Sequence, residues 1–274
     1  MPHNKQKKIA VINDLSGFGR CSISVALPII SAMKIQCCPL PTAILSNHTG
    51  FDSFYCKDFT EYMDLYIKEW VNMGLSFNAI LTGFLGSVDQ ISIVKNFLNI
   101  FKNKNNFTII DPVMGDYGKL YQTYSVELAN KMKDLVPYAD ILTPNLTEAC
   151  ILTKTDYKPY MSEKELAHLC EEMSKMGCRK IVISGLEKDD NLENFVYEDG
   201  YNPKIVKVHK VGICRSGTGD VFSSIIAADT VNGVDLLSSV AHACEFIEKT
   251  LKKTVELDLP ITDGICFEEF LTDI

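Results

Sequence analysis

Several common signatures are missing from this 274-residue sequence, and each absence excludes a class of protein. Neither a G-x-x-x-x-G-K-S/T phosphate-binding loop nor a G-x-G-x-x-G fingerprint occurs, so any nucleotide site belongs to another type. The longest run without a charged residue, residues 70–88, contains two asparagines and three glycines, which is more typical of a buried strand and a turn than of a membrane span. The apolar run after the polar residues 1–8 is too short for a signal peptide, so we expect a soluble, cytoplasmic protein.

Basic residues are scarce relative to acidic ones: 27 Lys and Arg against 35 Asp and Glu give a net charge of −8. Nucleic acids and anionic membranes are bound through clustered Lys and Arg, so we expect neither as a partner. Ten cysteines are present, but no C-x-x-C pair occurs, and Cys150, Cys170 and Cys244 occupy apolar positions of helical patterns. We therefore predict reduced, mostly buried thiols.

Short apolar runs alternate along the chain with longer stretches of helical period. Residues 8–12, 79–82 and 107–110 are typical of buried strands, and residues 195–208 of a β-hairpin. This alternation predicts an α/β three-layer sandwich, in which helices flank a central, mainly parallel sheet. No linker, repeat or low-complexity segment divides the chain, so a single domain over residues 1–274 is expected.

Polar residues follow the predicted strands directly. Ligands of parallel sheets bind beyond the carboxyl ends of the strands, so we predict one site distributed over the loops at that edge. The polar segments that would form it are Asn13-Asp14, Ser46-Asn47-His48-Thr49, Thr82-Gly83, Asp111-Pro112, Pro144-Asn145 and Ser184-Gly185.

The strongest single motif is Ser216-Gly217-Thr218-Gly219-Asp220, which opens a predicted helix over residues 218–231. Small residues at a helix start let backbone N–H groups approach an anion, and the helix dipole adds partial positive charge there. A phosphate, or the charge that develops during phosphoryl transfer, fits this position. The alternative is an ordinary glycine turn with Asp220 in the first helical turn.

Two acidic loops follow neighbouring predicted strands. The carboxylates of Asp111, Asp116 and Glu148 and the amide of Asn145 suit Mg²⁺, a hard cation that binds few carboxylates together with waters and phosphates. Asn145 and Glu148 alone would indicate a helix start with a capping box. Beside a second acidic loop and an anion site, we favour a metal–nucleotide site.

Two further segments are candidates for substrate contact. His48 and Thr49 lie at a predicted strand end, where they could contact a polar heterocycle, although a lone histidine is more often structural. Residues 115–121 contain two glycines and two tyrosines, a composition that suits a mobile flap over substrate or an ordinary exposed loop.

Taken together, these motifs resemble the pyridoxal kinases of the ribokinase superfamily, in order from about Ile9 to Lys252. The Gly-Thr-Gly-Asp motif is typical of the superfamily, whereas Ser-Asn-His-Thr and Asp-Pro-Val-Met-Gly point to vitamin B6. The resemblance implies a homodimer that uses ATP and Mg²⁺ to phosphorylate the 5′-hydroxyl of pyridoxal, pyridoxamine or pyridoxine in vitamin B6 salvage. It leaves open a monovalent cation such as K⁺. The first two predicted strands leave no room for the lid that sugar kinases of the superfamily insert, so no separate lid domain is expected.

The resemblance also implies roles for individual residues. Asp220 would be the catalytic base that faces the 5′-hydroxyl, beside an anion hole formed by the backbone of Gly217, Thr218 and Gly219. Because Asp220 lies at a predicted helix N-terminus, we expect its ionised form to be favoured and the group to be a weak base that mainly orients the hydroxyl.

The remaining assignments divide between nucleotide, metal and substrate. The predicted nucleotide-binding residues are Asp111, Thr143, Asn145, Glu148 and Ser184, and the predicted metal ligands are Asp111, Asp116 and Glu148. The predicted substrate contacts, besides Asp220, are Asp14, His48, Thr49 and the flap residue Tyr121.

Two other functions remain open at this point. A hydroxymethylpyrimidine (phosphate) kinase of thiamine synthesis is the nearest, but that family typically has cysteine where Asp220 stands. A non-catalytic nucleotide-binding protein on the same fold is the other, since a fold does not determine function. The presence of Asp220 and of both acidic loops favours catalysis.

The sequence departs from the family at two positions. Asp14 occupies a position that is often serine, and Arg215, after Cys214, would either steer the γ-phosphate or face water. We predict that the carboxylate of Asp14 favours a cationic substrate such as the pyridoxamine ammonium ion. Asp14→Ser should then lower the ratio of kcat/KM for pyridoxamine to kcat/KM for pyridoxal, and an unchanged ratio would reject this role.

Overall fold

The alternating pattern folds into a central nine-stranded sheet with helices on both faces. The computed structural model describes His3 and residues 5–274, so Met1, Pro2 and Asn4 of the polar N-terminal stretch lie outside the described residues. Among the described residues, no helix is both long and apolar enough to cross a membrane. All ten cysteines are free and six are buried, in agreement with the predicted thiols.

The strands and helices of the described chain follow the predicted alternation. The strands are β1 (Lys8–Ser16), β2 (Gln36–Leu45), β3 (Cys56–Asp58), β4 (Ala79–Thr82), β5 (Phe107–Ile110), β6 (Gly115–Asp116), β7 (Lys119–Leu120), β8 (Ile141–Leu142), β9 (Lys180–Lys188), β10 (Asn191–Glu198) and β11 (Lys204–His209). The α-helices are α1 (Ile23–Ala32), α2 (Thr60–Asn72), α3 (Val88–Phe101), α4 (Val126–Met132), α5 (Leu146–Thr153), α6 (Glu163–Lys175), α7 (Thr218–Asn232) and α8 (Leu236–Glu256). Short 3₁₀ helices occupy Lys133–Tyr138, Ile261–Asp263 and Glu268–Phe270.

The main sheet has the strand order β11-β10-β9-β8-β5-β4-β1-β2-β3, and β6 and β7 form a separate hairpin. The six central strands from β9 to β2 pair in parallel, whereas β3 and β10 pair antiparallel with their neighbours. The predicted α/β sandwich is confirmed. Because the parallel strands end at one edge, the loops that follow them meet there.

Each face of the sheet has its own hydrophobic core. Along β1, Ala10 and Ile12 contribute to the core beneath α2–α6, whereas Ile9 and Val11 contribute to the core beneath α1, α7 and α8. This alternation follows from the two-residue period of a strand, and burial on both faces explains why the run is apolar throughout. Elements that pack in both cores therefore contribute residues to the site at the sheet edge.

β9 extends beyond its predicted end. It runs to Lys188, so Ser184 and Gly185, which were predicted to follow the strand, lie within it.

β1 also extends beyond its predicted end. β1 was expected to stop at Ile12, but it continues through Asn13 and Asp14 to Ser16, with a shift in its register against β2 between Asn13 and Leu15. Asn13 and Asp14 therefore belong to the strand and not to a loop. The sequence did not indicate this, because both residues are polar. The strand nevertheless continues to pair with β2 beyond the end of the apolar run. A bulge of this kind re-aims a side chain, and bulges are common near active sites.

An aromatic cluster fills the core beneath α2 and α3. Phe97 is fully buried, with ring centroids 4.6 Å from Phe101 and 6.1 Å from Trp70, the only tryptophan. Phe97→Ala should lower the free energy of unfolding by about 3–5 kcal/mol, because it removes apolar contacts and leaves a cavity. Urea unfolding followed by Trp70 fluorescence measures this. Phe107→Ala, at a ring that is 43% exposed, is the control and should cost about 1 kcal/mol or less; equal losses would contradict the assignment of Phe97 to the core.

Candidate active site

A cavity of about 1140 Å³ opens at the carboxyl edge of the parallel strands. The structure brings every sequence-predicted site residue to its lining. These residues are Asp14, His48, Thr49, Asp111, Asp116, Tyr121, Thr143, Asn145, Glu148, Ser184, Gly217, Thr218, Gly219 and Asp220. Segments separated by up to about two hundred residues thus share one space, although the role of each residue remains a prediction.

The Gly-Thr-Gly-Asp motif forms the start of α7. Gly217 is the N-cap with φ 86°, and a Cβ there would lie 2.0 Å from the carbonyl oxygen of Arg20, so only glycine fits. Around Gly219, by contrast, no heavy atom lies within 4 Å of the place a Cβ would occupy. The first helical amides have no carbonyl partner within the helix, so they are available to an anion.

Asp220 lies in the first turn of α7 and is deeply buried. Its Oδ1 accepts a hydrogen bond from Asn13 Nδ2 at 3.1 Å, and the backbone N–H of Ser22 also donates to the carboxylate. Burial raises the pKa of Asp220 to about 6, the nearby charge of Asp14 adds to this, and the two donors oppose it. The expectation that the helix N-terminus would make Asp220 a weak base is wrong, because desolvation outweighs the helix start.

Asp14 lies at the bulge of β1 and faces the same cavity. It is buried, and its carboxylate accepts hydrogen bonds from the hydroxyl groups of Ser16, at 3.0 Å, and Ser22. Burial raises the pKa of Asp14, while the two hydroxyl donors and the neighbouring His48 oppose the increase. A second buried acid beside Asp220 makes this end of the cavity favourable for a cation.

Asp111 and Glu148 form a second acidic region. Glu148 accepts hydrogen bonds from the backbone N–H groups of Asn145, at 2.8 Å, and Met114, at 3.0 Å. Asn145 caps α5 in return, so the capping-box interpretation of this pair is confirmed. The Asn145 amide also donates to the carbonyl oxygen of Gly115 at 2.8 Å, which leaves it little capacity for a nucleotide.

Burial raises the pKa of Asp111, with the charges of Glu148 and Asp220 adding to the effect, and burial likewise raises that of Glu148 to about 8. Among the described residues, no positive charge is near enough to lower either pKa. The hydroxyl oxygen of Thr143, which also lines the cavity, is buried and has no hydrogen-bond partner in the described part of the chain. Two buried carboxylates and a hydroxyl group without a partner are suited to a cation that is bound to phosphate groups.

The predicted set of three metal ligands is not assembled by the protein alone. Among the residues that the structure describes, no group of three or more His, Cys, Asp or Glu side chains is arranged to hold a metal ion. Asp116 belongs to the β6–β7 hairpin, and its carboxylate accepts a hydrogen bond from the Tyr117 N–H at 2.8 Å. Mg²⁺ commonly takes one or two carboxylates and completes its shell with waters and phosphates, so two acids such as Asp111 and Glu148 would be enough for the magnesium site that the sequence predicts.

His48 is held within the protein through both ring nitrogens. Nε2 lies 2.7 Å from the carbonyl oxygen of Thr262 and must donate to it, while Nδ1 accepts from the Gly50 N–H at 3.1 Å. The ring also packs against Phe51, with centroids 4.8 Å apart. His48 can therefore offer a substrate its ring surface, but in this arrangement neither nitrogen is free for hydrogen bonding or proton transfer.

The predicted flap is the β6–β7 hairpin, whose turn contains Tyr117 and Gly118. The Tyr117 hydroxyl donates to Glu187 Oε1 at 3.1 Å, and Lys210 Nζ pairs with Glu187 Oε2 at 2.7 Å. These contacts connect the hairpin to β9 and to the segment before α7. The segment is thus more ordered than an ordinary exposed loop.

Sequence reasoning missed the partners of the acids. Asn13 and Ser22 contact Asp220, and no pattern in the sequence links positions 207 residues apart. For Arg215, the sequence allowed contact with the γ-phosphate or exposure to water. Arg215 is only 9% exposed and its Nη1 donates to the carbonyl oxygen of Pro260 at 2.7 Å, so the prediction of exposure to water is wrong. Its Nε is buried and has no hydrogen-bond partner among residues 3 and 5–274, and the residue lines the cavity.

Comparison with known proteins decides the family. The model of the phosphomethylpyrimidine kinase family matches residues 27–262. The chain belongs to this family. A crystal structure of a putative phosphomethylpyrimidine kinase from Bacteroides thetaiotaomicron is 36% identical, with a TM-score of 0.96 over 100% of this chain and 95% of the other. A second crystal form of that protein, with pyridoxal, has a TM-score of 0.95 over 98% of this chain and 96% of the other, again at 36% identity.

Curated relatives of this family member include pyridoxal kinases. A putative pyridoxal kinase of Schizosaccharomyces pombe is 29% identical over 231 residues, which are 80% of this chain and 72% of the relative. The pyridoxal kinase of Arabidopsis thaliana is 29% identical over 228 residues, with the same coverage. The resemblance to pyridoxal kinases that the motifs indicated is confirmed.

The pKa of Asp220 determines an expected pH dependence. A proton acceptor must be ionised, and the ionised form is lost as the pH falls through a pKa of about 6. If Asp220 has the predicted role of proton acceptor, its contribution to kcat/KM should be constant above about pH 6 and should fall about tenfold per pH unit below it. Asp14→Asn removes a charge that raises this pKa, so it should move the acidic limb to lower pH. A wild-type limb near the ordinary aspartate value of 3.8 would contradict this.

Proposed function

We propose that this family member is an ATP-dependent pyridoxal kinase, which transfers the γ-phosphoryl group of ATP to the 5′-hydroxyl of pyridoxal, pyridoxamine or pyridoxine in vitamin B6 salvage. One observation carries the proposal: Asp220 is buried in the first turn of α7, so a proton acceptor and the free helical amides face the same cavity. An acceptor hydroxyl and a terminal phosphate can meet only where both are present.

In this mechanism the chain supplies mainly positioning and charge stabilisation, which is what a loose phosphoryl-transfer transition state requires. The backbone amides of Gly217, Thr218 and Gly219 would bind the oxygens of the transferred group. Asp220 would orient the hydroxyl for in-line attack and accept its proton as the bond to phosphorus forms. A pKa near neutrality suits this task better than that of an ordinary aspartate.

The nucleotide would extend from α7 along the ends of β8 and β9. Thr143 and Ser184 line this part of the cavity, and the unpartnered hydroxyl of Thr143 is a donor for a phosphate oxygen. Asp111 and Glu148 would hold Mg²⁺, which when bound supplies the positive charge that the phosphates require. We further propose a homodimer, which the family resemblance implies, and a cytoplasmic location, which the ten free cysteines favour.

The family name leaves hydroxymethylpyrimidine kinase as the second candidate. Two observations favour vitamin B6: Asp220 stands where that activity typically has cysteine, and the relative from Bacteroides thetaiotaomicron was crystallised with pyridoxal. Buried carboxylates also favour a working enzyme over a non-catalytic protein, because unpaired acids in a cavity destabilise the fold unless they bind a ligand.

Removal of the Asp220 carboxylate tests the proposal. ATP consumption is measured with pyridoxal, pyridoxamine, pyridoxine and hydroxymethylpyrimidine, and the three B6 vitamers are expected to be the better acceptors. Asp220→Ala and Asp220→Asn should each lower kcat by ~10²–10⁴ while the affinity for ATP stays nearly unchanged. Asp235→Asn, at the exposed N-cap of α8, is the matched control and should retain activity. Preference for hydroxymethylpyrimidine, or an active Asp220→Ala variant, would overturn the proposal.

A further inference from the structure

The side-chain amide of Asn13 makes three hydrogen bonds whose donors and acceptors are all defined. Its Oδ1 accepts hydrogen bonds from two backbone N–H groups, that of Phe84 at 2.8 Å and that of Asp14 at 2.9 Å. Its Nδ2 donates to Asp220 Oδ1 at 3.1 Å. Since two donors face the oxygen and an acceptor faces the nitrogen, the orientation of the amide is fixed by its partners.

Packing also prevents the Asn13 amide from moving away from Asp220. The side chain is buried on β1, just before the shift in its register, and Gly83 after β4 lies directly against it. A Cβ at position 83 would be 2.4 Å from Asn13 Nδ2, so the close contact depends on glycine. The amide is therefore clamped between two neighbouring strands of the rigid sheet, and it presents one N–H to the carboxylate.

We propose that Asn13 is a positioning residue that holds the Asp220 carboxylate in the rotation needed to receive the acceptor hydroxyl. Asn13 donates to the carboxylate from β1 and the Ser22 N–H donates from the segment before α1, so two fixed donors restrain a group on a third element. Asn13 acts through Asp220 and need not touch the substrate. This inference rests on the proposed role of Asp220 in phosphoryl transfer.

A purely structural role for Asn13 is the alternative, because its oxygen also ties β1 to the backbone after β4. Asn13→Asp separates the two roles. The aspartate has nearly the same shape and can still accept from the N–H groups of Phe84 and Asp14. Its second oxygen, however, replaces the donor and faces the acceptor oxygen of Asp220, so the restraint on Asp220 is lost. The added negative charge also raises the pKa of Asp220, so kcat is compared on the plateau of each variant's pH profile, where Asp220 is ionised.

The experiment compares kcat, KM and thermal stability of the wild type, Asn13→Asp and Asn106→Asp with pyridoxal and MgATP. Asn106 is a matched control: it is also buried, its Oδ1 accepts from the Asn103 N–H at 2.9 Å, and its Nδ2 donates to the Phe101 carbonyl oxygen at 2.8 Å. It lies outside the cavity lining. We expect Asn13→Asp to lower kcat by ~10–10², as a misplaced catalytic group does, with KM for MgATP changed less than about twofold. Asn106→Asp should lose stability without losing kcat.

A second variant keeps the inference testable in case Asn13→Asp folds poorly. Gly83→Ala leaves the chemistry of Asn13 intact but displaces its amide, so it should lower kcat in the same way with little change in KM for MgATP. An inactive wild type would refute the proposed function and not the role of Asn13. With an active wild type, retained kcat in the folded Asn13→Asp or Gly83→Ala variant, or an equal loss in Asn106→Asp, would overturn the inference.

Discussion

Four carboxylates buried around one cavity are the constraint on which the rest of this structure depends. Within the described chain, Asp14, Asp111, Glu148 and Asp220 have no Lys or Arg partner, and burial raises the pKa of each. The protein supplies neutral donors instead: hydroxyl groups, backbone amides and one side-chain amide. Such donors orient a charge without cancelling it, so these four acids have no positive partner until a ligand brings one.

The sheet explains how this charge can be tolerated. The acids stand at the ends of strands and at helix starts, where backbone N–H groups point outward. Asp220 uses the first turn of α7, Glu148 the capping box of α5, and Asp14 a bulge of β1. Each element is anchored in one of the two hydrophobic cores, so the polar edge is held rigidly by apolar packing beneath it.

Strands and helices were predicted accurately where the hydrophobic pattern of the sequence is uninterrupted. The bounds of β4 and β5 agree with the expected residues, because each is a short apolar run with clear ends. The membership of the cavity was also foreseen, since parallel strands must end at one edge. The continuation of β1 through Asn13 and Asp14 was not predicted, because these residues are polar although the strand still pairs with β2. Burial of Asp220 was equally invisible, and with it the direction of its pKa shift.

The pair Asn13 and Asp220 spans 207 positions, from the first strand to the helix that follows the last. Closing so long a loop has an entropic cost that must be offset by the contacts formed between its ends. During synthesis, every parallel strand leaves the ribosome before Asp220 does. A chain that stops short of Asp220 therefore lacks the carboxylate on which the proposed phosphoryl transfer depends, whatever part of the cavity it has already formed.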